Sequence, residues 1–98
     1  MSGSGIEETE SGFSITGEMS FATVNSLLAA SSGFNFTGRP VLDIDLGGIT
    51  RADSAGLALL VEWTAKARLG ATDIRFRNMP AQMREIARMT EVDKLLSL

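Results

Sequence analysis

The order of hydrophobic and polar positions along this chain predicts seven elements. Ile6–Glu10 and Phe13–Met19 read as two strands joined at Ser11-Gly12, a hairpin-type punctuation. In the second, Phe13 and Ile15 alternate with Ser14 and Thr16, so one face is buried. Gly17 marks a bend or a close approach near the strand end. Ser20 then reads as the N-cap of a helix over about Phe21–Ser31. Its apolar positions Phe21, Val24, Leu27 and Leu28 fall at spacings of three and four, one stripe toward a core.

Ser32–Pro40 reads as a surface turn. Its run Gly33-Phe-Asn-Phe-Thr-Gly38-Arg39-Pro40 has the glycine spacing of a phosphate-binding loop, but Arg39 and Pro40 stand where lysine and Ser/Thr belong. Pro40 also lacks the N–H that such a cradle needs. Val41–Leu46 is the clearest strand, with Leu42, Ile44 and Leu46 on one face and Val41, Asp43 and Asp45 on the other. The Asp43–Asp45 pair reads as the solvated face of a half-covered sheet, and Gly47-Gly48 as the strand's end.

Ala55–Leu69 is expected to be helical, closed by Gly70 at the C′ position. Leu57, Leu60, Val61, Thr64 and Ala65 form its inward stripe, and Glu62 with Lys66 an outward i, i+4 pair. Trp63 lies off the centre of that stripe, either a core-edge packing residue or an interface anchor. Thr72–Arg77 is a fourth strand with Ile74 and Phe76 inward. Pro80 suits the first turn of a last helix with a stripe of Met79, Met83, Ile86, Ala87 and Met89, and with Arg84 and Arg88 as a basic edge. A short helical turn over Thr90–Leu98 packs back through Val92, Leu95 and Leu96. The order β-β-α-β-α-β-α is an α/β pattern, a mixed sheet with helices on one face.

Composition narrows the function. With 98 residues, 44% hydrophobic and 21% charged, the chain supports one domain over 1–98, residues 1–5 being a flexible tail. Net charge is −3, too little basic character for nucleic acid. The longest purely apolar run, Leu57–Val61, is far short of the ~20 residues that span a bilayer. The start shows no secretory pattern, which points to a cytoplasmic protein that meets a membrane only through a partner. His, Cys and Tyr are absent. That removes Ser–His–Asp and Cys–His nucleophile pairs and the common zinc ligand sets, so no catalytic residues, metal or cofactor are expected.

The stretch that remains chemically distinctive is Asp53-Ser54, where a strand and turn pass into the long helix. Either residue can cap that helix through its side-chain oxygen, for about 1 kcal/mol. A phosphate on Ser54 would face free N–H groups and the positive end of the helix dipole. It would also add close to two negative charges beside Asp53, enough to repel a docked partner. Gly56, two residues on, leaves room for another backbone to approach.

Asp53-Ser54-Ala55-Gly56-Leu57 resembles the D-[ST]-x-G-[LV] signature of STAS domains, the fold of anti-sigma-factor antagonists. The likeness extends through Ile15–Met19, Val41–Leu46 and Asn78-Met79-Pro80, nearly the whole chain. It implies a STAS-type four-stranded mixed sheet with helices packed on one side. Within the family, Ala52–Val61 and Arg75–Gln82 are most similar to the small STAS subunits of bacterial Mla (toluene-tolerance) lipid transporters. That resemblance implies a non-catalytic accessory subunit that binds the ATPase of an ABC-type phospholipid transporter, with Ser54, Asp53, Ala55, Gly56, Leu57 and Trp63 as interaction residues. The alternative it implies is an anti-sigma-factor antagonist, with Ser54 phosphorylated by a serine kinase. Thr90-Glu91 stand where many relatives carry a glycine after the last helix.

Overall fold

The computed structural model describes residues 5–98. Four strands, β1 (Gly5–Glu8), β2 (Gly12–Met19), β3 (Val41–Ala52) and β4 (Asp73–Arg77), form one sheet in the order β1-β2-β3-β4. β1 pairs antiparallel with β2, while β2–β3 and β3–β4 are parallel. The two parallel joins need crossovers, and the helices α1 (Val24–Ser31) and α2 (Ser54–Leu69) supply them. α3 (Ala81–Met89) and a 3-10 turn (Val92–Lys94) complete the chain. The mixed-sheet α/β expectation holds in every element. Gly5, counted with the flexible tail, opens β1, and the rest of that tail lies outside the described residues.

The hairpin closes where Ser11-Gly12 placed it, through Thr9 N–H to Gly12 O at 2.8 Å. Gly17 has φ 85°, and the β2–β3 register shifts between it and Glu18, so the residue marks a bulge. The end of β3 differs from expectation. β3 does not stop at Gly47-Gly48 but runs on to Ala52, because the bulged end of β2 stays paired with it through Met19↔Ala52. That extension carries the chain to the start of α2.

Leu42, Ile44 and Leu46 are buried with Phe13, Ile15 and Met19 under the helices. On α2 the buried residues are Gly56, Leu57, Leu59, Leu60, Trp63, Thr64 and Ala67, so the stripe lies to one side of the expected one; Val61 is half-exposed and Ala65 exposed. Trp63 is fully buried, and its Nε1–H donates to Ser31 Oγ at 3.1 Å. The loop after α1 is no plain surface turn: Phe36 is buried and Phe34 half-buried. Their rings meet Phe13 at 5.0 and 4.8 Å between centroids, and Phe36 meets Trp63 at 5.7 Å. An aromatic cluster of this size is a main anchor of the core.

α1 begins three residues later than Ser20 as cap would allow. Ser20 opens a turn instead, accepting from Val24 N–H through its carbonyl at 2.8 Å, and Thr23 is the cap position. The later start takes Phe21 off the inward stripe and leaves it 82% exposed. On α3 the stripe is Met79, Met83 and Ala87, while Met89 points to solvent. Leu96 packs back as expected but Leu95 does not. Glu91 has φ 62°, a conformation that glycine adopts more easily.

Candidate functional site

Asp53 settles the capping question. Its Oδ1 accepts from the Ala55 N–H at 2.9 Å, the bond of an N-cap side chain. Its Oδ2 accepts from the Phe21 N–H at 3.1 Å, so one carboxylate ties the start of α2 to the turn before α1. The Phe21 N–H, foremost, holds the Asp53 pKa below the usual carboxylate value. Ala55 and Gly56 N–H groups and the Arg51 charge add to this, against partial desolvation. A carboxylate so engaged is a weak base.

Ser54 is therefore free of capping duty. It is the first residue of α2, exposed, and its hydroxyl makes no hydrogen bond among the described residues. Among the described residues no base is hydrogen-bonded to that hydroxyl to activate it as a nucleophile. It can serve as a point of contact or modification at the positive end of a helix.

Gly56 has a different role from the one its spacing implied. A Cβ there would lie 2.2 Å from the Met19 carbonyl oxygen, so the backbone it admits is the chain's own β2. Gly56 is buried, with no face for a partner. The same correction applies to Trp63, which burial removes from any contact surface. Leu57 is buried as well, but it floors a groove; Ala55 is half-buried beside Ser54.

That groove, of about 310 Å³, was not visible in the sequence. Ser54, Leu57, Ala58 and Val61 of α2 form one wall, and Ile86, Thr90, Val92 and Leu95 the other. The lining is almost wholly apolar, with Ser54 at its margin. Phe21, whose backbone is bound to Asp53, exposes its ring beside the same junction. Helical spacing alone puts Phe21 and Val61 inward, because a stripe shifted by one position still has that spacing. Thr23, a second residue able to cap, is the sequence signal for the later start of α1.

The second carboxylate pair belongs elsewhere. Asp43 and Asp45 lie on the sheet face away from the helices, where Asp43 pairs with Arg77 at 2.9 Å. Asp45 accepts from Asn78 Nδ2 at 3.1 Å and from Gly47 N–H at 2.9 Å, bonds that lower its pKa in that order. Asp43 Oδ1 is buried with no hydrogen-bond partner among the described residues. Among the described residues no group of three or more acidic, His or Cys side chains could hold a metal. No described helix is long and apolar enough to cross a membrane.

Comparison with known proteins gives three results. The family described as "Mlab, STAS domain" matches residues 3–97. Among solved structures, the chain is similar to the anti-sigma factor antagonist SpoIIAA in its unphosphorylated form, at TM-score 0.64 and 17% identity over 97% of this chain and 99% of that one. At that identity the likeness speaks for the fold. No curated protein matched the sequence.

Proposed function

Because this chain belongs to the STAS domain family, we propose that it is a non-catalytic, cytoplasmic protein-binding module whose contact surface is centred on Ser54. One observation carries the reading: an exposed, unbonded hydroxyl at a helix start, with an apolar groove on one side and an exposed phenylalanine near it. Aromatic anchors beside apolar pockets are where binding energy concentrates.

The proposed partner is the ATPase of an ABC-type phospholipid transporter, so that the protein meets the membrane only through that complex. The family description "Mlab" supports this, as do Ala52–Val61 and Arg75–Gln82, which resemble the small transporter subunits. In this role Ser54, Asp53 and Ala55 form the rim of the contact and Leu57 its floor. The test is an affinity pull-down of the tagged protein from its own cells, read by mass spectrometry. Recovery of an ABC ATPase with its permease is the expected result. Failure of the purified ATPase to bind the purified protein would sink the reading.

A second reading has its own support in the free Ser54 hydroxyl and in the likeness to an anti-sigma factor antagonist. Here the partner is a serine kinase, and phosphate on Ser54 is the switch. Close to two added negative charges beside Asp53 would repel a docked partner while the helix dipole tolerated them. A one-phosphate mass shift with the cognate kinase, absent in Ser54→Ala, would favour this reading over the transporter.

A further inference from the structure

A second surface lies at the sheet edge. Among the described residues β4 has β3 as its only neighbour in the sheet, and no turn or loop backbone bonds to Ile74–Arg77. Its outer N–H and C=O groups are therefore a template for another strand. Beside it runs a cleft of about 470 Å³, closed on the far side by the last turn of α2 and the C-terminal residues. Phe76, Leu96 and Leu98 give it apolar walls, while Arg68, Arg75 and Arg77 give it positive charge against one carboxylate, Asp73. Arg68 is held in place by bonds to Leu95 O and Ser97 Oγ at 3.2 and 3.4 Å. Arg77 is paired with Asp43, whereas Arg75 is exposed and has no ion-pair partner among the described residues.

We propose that this edge receives an extended acidic segment of a partner protein as an added strand, its backbone on β4 and its carboxylates on the arginines. With Arg77 neutralised by Asp43, Arg68 and Arg75 leave the edge an excess of positive side-chain charge over Asp73 in a chain of net charge −3, and they select the occupant's charge. They also oppose β4-to-β4 pairing between two copies, which would set arginine against arginine. Pairing with the acidic β1 of a second copy would be head-to-tail and would build rings or filaments of many copies, so a partner segment is the occupant that gives a one-to-one complex. Strand addition of this kind draws affinity from main-chain bonds and specificity from alternate side chains.

The test is a titration of the isotope-labelled full chain with a short acetylated peptide of alternating valine and glutamate, followed by NMR. The expected result is shifts and slowed amide exchange confined to Ile74–Arg77 and Leu96–Leu98. Binding should weaken with salt and fall by roughly tenfold in Arg75→Glu, a change at an exposed side chain. A valine–lysine peptide should not bind. The proposal is overturned by absent binding or by equal binding of a glycine–glutamate peptide, which would mean charge alone. Shifts at Ser54 instead, or self-association through β1 in sedimentation, would overturn it too.

Discussion

The two ends of α2 are built from similar residues and do opposite work. At the C-terminal end the fold itself closes the backbone. Thr72 N–H reaches back to Ala67 O and Ala71 N–H to Arg68 O, both at 3.0 Å, a Schellman closure. The left-handed position is Ala71, with φ 61°, and not Gly70 as its spacing implied. Gly70 is required for another reason: a Cβ would lie 2.2 Å from Thr37 Cγ2 in the aromatic-lined loop. At the N-terminal end Asp53 and Gly56 are just as constrained, but the Ser54 hydroxyl between them makes no hydrogen bond among the described residues. A polar group that the fold holds in place and does not use is available for function. The contrast, more than exposure alone, is what supports Ser54 as the centre of the proposed contact surface.

The contrast can be broken or sharpened by substitution, beginning where the largest effect is expected. Trp63→Ala removes a fully buried ring and its bond to Ser31, and should lower stability by about 3–5 kcal/mol in urea unfolding. If the loss were small and partner binding fell instead, Trp63 would be an interface residue after all. Gly56→Ala forces backbone apart at Met19 and should cost about 1–3 kcal/mol, a net of overpacking over better helix propensity. A stabilised variant would show that the close approach is not required.

Asp53→Ala should cost about 1 kcal/mol through the lost cap. Acid titration tests the same residue. The Asp53 pKa is lowered on folding, so its contribution is present above the unfolded value of about 3.9 and disappears as pH falls through the lower folded value. Thermal melts of the parent should lose stability below about pH 4, and Asp53→Asn should flatten that loss. Asp45, lowered by Asn78 and Gly47, leaves a residual slope of the same sign.

The smallest stability effect belongs to Ser54→Ala, expected within about 0.5 kcal/mol because no bond is lost. Ser54→Glu should also melt near the parent temperature and yet weaken partner binding. An unfolded Ser54→Glu protein would remove the physical basis for a switch at this position.

The sequence by itself determined the order of elements, the hairpin, the inward faces of β2 and β3, and Asp53-Ser54 at a helix start. These follow from local rules: the two-residue strand period, helical spacing and the turn preferences of Gly, Pro and Asp. It also carried the family signature. Tertiary packing decided the rest. Helical spacing fixes that a stripe exists but tolerates a rotation of one position, so contact with the sheet chose Gly56, Leu60, Trp63 and Ala67 and turned Val61 toward the groove. The start of α1 depended on whether Ser20 or Thr23 took up the first turn, and that choice put Phe21 in solvent. The neighbour that meets a glycine, the carboxylate that caps a helix and the groove between two helices are relations between distant segments. No window along the chain contains both partners, and only folding brings them together.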